Sequence, residues 1–165
     1  MEDVIIMPIE QQKICIVLRG LPGVGKTYFA ERLQGLTANR FNDTKTIPLL
    51  DVSVTILSSD DYFIVNGVYK FDLDKLDEAH QWNFNRFKNA VNDGAKFIIV
   101  DNTNIVSFHY RHYLDYAQRH NYFTAITIIP HNDKDDRRLE ESNIHNVKRG
   151  TIRKMRQTFE WEFKD

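Results

Sequence analysis

Short apolar runs and helix-spaced apolar positions alternate along this chain. Ile14-Cys15-Ile16-Val17-Leu18 is the first run, continuous and partly β-branched, as expected of a strand covered on both faces. A helix-like stretch follows over Tyr28 to Leu36. Thr37–Pro48, rich in Asn, Thr and Asp, reads as a long loop or insertion. Val54–Leu57 predicts a second strand, and Asn66-Gly67 a turn. Asp72 is placed to cap a long helix over about Leu73–Asn92. Within it Leu76, Ala79, His80, Asn83, Phe87, Ala90 and Val91 fall near helical spacing, and Asp93-Gly94 ends it. Lys96–Val100 predicts a third strand, with Asp101 at its carboxyl end. Ser107 is placed to cap a helix reaching about His120. Tyr122–Ile129 predicts a fourth strand, stopped by Pro130, and two helices close the pattern, about Lys134–Asn143 and Arg149–Phe163.

Strands alternating with helices predict an α/β fold with a small parallel sheet flanked by helices. A length of 165 residues suits one domain with a core of its own, and no internal repeat or linker divides it. The first twelve residues read as an N-terminal extension without the basic and apolar regions of a secretory signal. No apolar run is long enough to cross a membrane. The single cysteine, Cys15, lies inside the first predicted strand, reads as a small buried hydrophobe, and favours a reducing, intracellular setting. A net charge of −1 excludes a globally basic surface, so any nucleic-acid site must be a local patch.

The chemistry begins where the first strand ends. Gly20-Leu21-Pro22-Gly23-Val24-Gly25-Lys26-Thr27 matches G-x-x-x-x-G-K-[ST], set between a strand and a helix. Glycines let successive backbone N–H groups turn toward one point, and the helix start adds the positive end of its dipole. This predicts a P-loop: Gly20 to Thr27 cradle the phosphates of ATP, Lys26 reaches the β- and γ-phosphates, and Thr27 ligates Mg²⁺. The bland alternative is a Gly/Pro turn with a solvated lysine.

Two carboxylates stand at later strand ends. Phe97-Ile98-Ile99-Val100-Asp101 has the form of a Walker B element, making Asp101 a candidate Mg²⁺ ligand; otherwise it is an acid at an ordinary strand end. Ser58-Ser59-Asp60-Asp61 follows the second strand. A phosphoryl-transfer enzyme needs a base for the acceptor hydroxyl, and Asp60 is the candidate, with Asp61 capping or orienting the turn. A loop merely rich in Ser and Asp is the competing explanation.

The C-terminal third is locally basic: Arg137, Arg138, Lys148, Arg149, Arg153, Lys154 and Arg156. Kinases of this fold bring a basic lid over the phosphates, here expected near residues 133–150, although most such residues form an ordinary solvated face. The patch also suits a nucleic-acid backbone. His109 and His112 have helical spacing but no third ligand nearby in sequence, so metal binding is disfavoured. Trp82, Phe84 and Phe87 read as packing rather than base-stacking platforms, and Tyr62, Phe63 and Tyr69 likewise, with a contact to a base or sugar as the alternative.

Taken in order, Gly20–Thr27, Ser59-Asp60-Asp61-Tyr62-Phe63, Tyr69-Lys70-Phe71-Asp72, Ala79-His80 with Asn83, Val100-Asp101-Asn102-Thr103-Asn104, Pro130, Asn143-Ile144-His145 with Val147, and Ile152 with Met155 resemble the polynucleotide kinase branch of P-loop kinases. The pattern is most similar to the AAA-type kinase-like domain carried by the Nedd-four-binding proteins, and it covers about residues 13–160. The resemblance implies a 5′-hydroxyl polynucleotide kinase that transfers the ATP γ-phosphate to a DNA or RNA 5′ end. It implies Lys26 and Thr27 for ATP and Mg²⁺, Asp60 as general base, and Asp101 as an acid at the metal or acceptor.

Two places depart from the family. Glu141 and Ser142 stand where a lid arginine usually precedes the Asn-x-His segment, so Arg138, Arg137 or Arg149 would have to serve. Phe63 stands where end-healing kinases often carry an arginine, three residues after the base. No phosphatase domain accompanies the kinase pattern. A kinase of a small acceptor and a non-catalytic ATP-dependent nucleic-acid-binding module are the alternative readings, and oligomeric state is left open.

Overall fold

The computed structural model describes residues 12–37, 53–132 and 136–161. The predicted loop over Thr37–Pro48 lies almost wholly outside them, as does the N-terminal extension up to residue 11. Four strands pair in parallel, in the order β2 (Val54–Leu57), β5 (Phe97–Asp101), β1 (Lys13–Arg19), β6 (Tyr122–Ile128). A two-stranded antiparallel hairpin, β3 (Ile64–Val65) and β4 (Val68–Tyr69), projects after β2. Its turn is Asn66-Gly67, both at positive φ (52° and 77°), the pairing that a tight two-residue hairpin requires.

Alternation along the central strands divides the core. Cys15, Val17, Ile98 and Val100 face α2 (Leu76–Asn92) and α3 (Arg111–Arg119), where Phe87, Val91, Tyr113 and Ala117 are buried. Leu18, Phe97 and Ile99 pack on the other face with Ala30, Phe29 and Leu33 of α1 (Lys26–Thr37). Because both faces are covered, β5 is buried at every residue, as its uninterrupted apolar run requires. Burial raises the Cys15 thiol to about 12, matching the inert small hydrophobe expected there.

A third cluster forms beyond the carboxyl edge of the sheet. Leu139 of α4 (Asp136–Ser142) and Ile152 of α5 (Arg149–Gln157) pack with Leu21, Ile105 and Phe159. Several local expectations shift here. Ser107 does not cap α3; it opens a 3₁₀ turn over Ser107–His109, and its N–H donates to Glu160 at 2.6 Å. Asp72 caps a short 3₁₀ turn, Leu73–Lys75, from which α2 continues. The last helix stops at Gln157 rather than Phe163, because Phe159 must turn into the core and Glu160 pairs back onto Ile105 (2.9 Å).

Arg19, fully buried at the end of β1, holds this junction together. Its guanidinium donates to the carbonyls of Asn104 (2.8 Å), Ile105 (2.9 Å) and Glu160 (2.6 Å), and lies 4.8 Å from the ring centres of both Tyr110 and Phe159. Asn104, at φ 47°, completes the tie by donating to the Leu18 carbonyl at 2.7 Å. Removing a donor from buried carbonyls costs roughly 1–3 kcal/mol each. Arg19→Met is therefore expected to lower the unfolding free energy by about 3 kcal/mol or more. Urea denaturation checks this, and an unchanged midpoint would show that the guanidinium is dispensable.

Candidate functional site

Parallel pairing brings the carboxyl ends of β2, β5 and β1 to one edge, side by side. The register sets Leu18 against Asp101 and Leu57 against Val100. The loop after β1, the strand-end acid of β5 and the Ser-Asp turn after β2 thus meet, at the position where open α/β sheets bind ligands.

The loop closes on the start of α1. Lys26 is buried and its Nζ donates to the Leu21 carbonyl at 3.0 Å. Burial lowers its pKa, while the charges of Asp101 and then Asp60 oppose the shift. Thr27 Oγ1 donates to Asp101 Oδ2 at 2.7 Å. Burial raises the Asp101 carboxyl, against the hydrogen bond from Thr27 and the charge of Lys26. Its Oδ1 is buried and has no hydrogen-bond partner among the described residues. A buried carboxylate oxygen without a donor, beside a threonine hydroxyl, is the hard oxygen set that a divalent cation takes.

The turn after β2 is a 3₁₀ segment, Ser59–Phe63, capped by Ser58, whose Oγ accepts from the Asp60 N–H. It is tied to β5 by the Ser59 N–H, which donates to Asn102 Oδ1 at 2.9 Å. Ser59 Oγ shares a hydrogen bond with His80 Nδ1 (3.1 Å). The two acids part company. Asp61 pairs with Arg86 of α2 at 2.8 Å, and that guanidinium lies over the Trp82 ring. Asp60 accepts from Tyr69 Oη at 2.9 Å and stands 3.4 Å from His145 Nε2. Tyr69 therefore does more than pack: burial raises its hydroxyl, with the charge of Asp60 next.

The C-terminal helices seat against the loop. The Ser142 hydroxyl, whose one hydrogen is shared with the Arg138 carbonyl (2.6 Å), stands 3.0 Å from the Gly23 carbonyl. Gly23 has φ 80°, and a Cβ there would collide with the Leu139 carbonyl and Ser142 Oγ. The basic residues are largely committed: Arg149 to Glu140 (2.9 Å), Arg153 and Arg156 to Asp136, and exposed Arg137 loosely to Glu141 (3.9 Å). Arg138 is exposed on α4, and its carbonyl accepts from Ser142. His112 lies against Phe84 and Tyr113, and no cluster of three His, Cys, Asp or Glu suited to a metal occurs among the described residues.

Lys26, Thr27, Asp60 and Asp101 are thus brought together at one edge, whereas Arg138 is exposed on α4. Arg19, Tyr69, His145 and the Ser142–Gly23 tie carry no signal in composition or periodicity. For His145 the only pointer was its place in the Asn-x-His segment.

The loop, its lysine and the Walker-type acid at the edge of this sheet place the chain among P-loop folds of the kinase-like class, which bind nucleotides. Residues 15–161 match the AAA domain family, and the chain belongs to it. It is 37% identical over 146 residues to human NEDD4-binding protein 2, covering 86% of this chain but 7% of that protein's length. Among solved structures, Chaetomium thermophilum Kti12, in complex with ADP-AlF3, superposes with a TM-score of 0.59 at 17% identity, covering 89% of this chain and 80% of that one. APE1195 gives a TM-score of 0.54 at 15% identity, covering 79% and 69%. No described helix is long and apolar enough to cross a membrane.

Two outcomes test how the C-terminal helices are held. Glu140 is lowered by the Arg149 N–H, with burial opposing and the Arg149 side chain adding. At Asp136 burial works upward but is outweighed by hydrogen bonds from Arg156 and Arg153. Folded values below ordinary ones stabilise above the carboxylate range, and that contribution disappears as pH falls through it. Hydrogen exchange corrected for intrinsic rates should show α4 and α5 losing protection below about pH 4 ahead of the central sheet. Gly23→Ala should separately expose α4 to limited proteolysis at neutral pH, and wild-type cleavage kinetics would contradict this contact.

Proposed function

We propose that the chain is an ATP-dependent polynucleotide 5′-hydroxyl kinase, with the segment over about 133–150 serving as its lid. The observation that carries this reading is the arrangement at one sheet edge. Two carboxylates, Asp60 and Asp101, both act on the buried Lys26, while Asp101 alone engages the loop threonine. One acid is on the donor side and the other is not, as a phosphotransferase requires.

On this reading Gly20 to Thr27 hold the ATP phosphates. Lys26 leaves the Leu21 carbonyl for the β- and γ-phosphates, which restore the partner that burial denies it. Thr27 and Asp101 would hold Mg²⁺, which neutralises charge on the phosphates. Asp60 takes the proton of the acceptor hydroxyl as that oxygen bonds to the γ-phosphorus. The bond to the β–γ bridging oxygen breaks, and ADP leaves. Arg138, exposed one turn before Ser142, is the lid cation proposed for the developing charge. The family match and the 37% identity to NEDD4-binding protein 2 support the kinase-like part of this reading. The Ser-Asp-Asp-Tyr-Phe and Asp-Asn-Thr-Asn elements support the nucleic-acid acceptor.

Radiolabelled ATP with 5′-hydroxyl DNA and RNA oligonucleotides, single- and double-stranded, tests it. Label is expected at the 5′ end. Folded protein with Mg²⁺ that labels nucleosides or other small acceptors instead would replace this acceptor, and ATP binding without transfer to any acceptor would point to a binding module. Asp60→Asn should reduce transfer by roughly a hundredfold or more while leaving ATP affinity unchanged. Retained transfer would remove Asp60 from the base role.

A further inference from the structure

The Asp60 carboxylate has a neighbour at each oxygen. Tyr69 Oη on β4 donates to Oδ1 (2.9 Å), and His145 Nε2, between α4 and α5, stands 3.4 Å from Oδ2. The two rings pack on each other with centroids 4.5 Å apart, so neither is placed independently. The His145 side chain is 27% exposed, and its Nδ1 is buried with no hydrogen-bond partner among the described residues.

His145 lies three residues beyond Ser142, which bonds the P-loop at Gly23. Asn143 stiffens the strap between them. Its Nδ2 donates to the carbonyls of Leu139, Glu140 and Val147, and its Oδ1 accepts the Val147 N–H at 2.6 Å. A continuous short segment therefore runs from the loop proposed to hold the donor to the carboxylate proposed to activate the acceptor.

Resting on the reading of Asp60 as general base, we propose that His145 is a positioning residue for that base, assisted by Tyr69, and that the Ser142–His145 strap makes alignment of the base depend on seating of α4 against the P-loop. A base acts through one lone pair aimed at the acceptor proton, and a freely rotating carboxylate aims poorly. Tyr69 donates to one oxygen and His145 stands beside the other, an arrangement that favours one carboxylate plane and leaves further lone pairs for the acceptor. Phe63 supplies no charge beside Asp60, and the histidine reaches it from a distant part of the chain instead.

Other charges also act around Asp60: Lys26 from α1, Asp101 from β5 and His80 from α2, while neighbouring Asp61 is occupied by Arg86. The test must therefore isolate the histidine. Wild type, His145→Ala, His145→Gln and Tyr69→Phe are compared in oligonucleotide phosphorylation across pH. The Asp60 carboxyl ¹³C resonance is read at one neutral pH in the nucleotide-free protein. His145→Ala is expected to lower kcat roughly tenfold with KM for ATP within about twofold. It should also shift the Asp60 carboxyl ¹³C resonance, because one oxygen loses its imidazole neighbour. His145→Gln, which returns an N–H, should recover most of kcat, and Tyr69→Phe should fall between wild type and His145→Ala. An unchanged kcat and an unmoved Asp60 resonance in His145→Ala would overturn the proposal. A glutamine variant as slow as alanine, with the Asp60 resonance in place, would also overturn it, since that marks a purely structural strap. If the wild type phosphorylates no oligonucleotide while Asp60 still responds to His145→Ala, the pairing stands and the nucleic-acid acceptor falls.

Discussion

Parallel pairing of β1 with β5 is the constraint on which the rest of this molecule rests. Parallel strands finish at the same edge, so the register that sets Leu18 beside Asp101 also sets the P-loop beside a carboxylate. β2 adds the Ser58–Asp61 turn to the same edge through its pairing with β5. Helices on both faces satisfy the apolar strands and leave the edge as the place where polar groups can gather. The side chains that matter chemically lie at the ends of the elements, where the backbone leaves the sheet.

The interactions at that edge differ greatly in strength. Arg86–Asp61 and Arg137–Glu141 are partly or fully exposed pairs, worth at most about 1 kcal/mol in water. Arg19 is fully buried, donates to three carbonyls and lies between two aromatic faces. It joins the end of β1, the segment after β5 and the C-terminal tail through one guanidinium, whose planar fork a lysine cannot reproduce. That tie fixes Phe159 and Glu160, and through the shared apolar cluster it helps to seat α4 and α5 over the loop. The strap carrying His145 depends on that seating.

The charges of the site are arranged around groups whose burial is incompletely compensated. Lys26 is buried with a carbonyl as its recorded acceptor, and Asp101 is buried with one oxygen unpartnered. Both penalties shrink when an anion meets the lysine and a cation meets the carboxylate. A polyphosphate with its metal ion supplies both at once. Asp60 instead keeps two protein partners, Tyr69 and His145, which suits a group whose proposed work is orientation toward the acceptor.

The sequence alone determined the local elements and the donor half of the site. The largely apolar run placed a strand at about Val54–Leu57, where β2 runs, because its buried ends, Val54 and Leu57, face the core. The glycine loop was legible because backbone geometry forces that spelling, and Asp101 because it ends an unbroken apolar run. Helix ends were less legible: Ser107 and Asp72 carry capping chemistry, but packing of Glu160 and a 3₁₀ turn decided how it was used. Tertiary structure alone decided that Arg19 is buried, that Asp61 faces Arg86, that Ser142 bonds Gly23 and that His145 meets Asp60. Spacing and periodicity constrain residues a turn or a strand apart, whereas these partners are brought together only when the sheet closes its order and the C-terminal helices fold back across its edge.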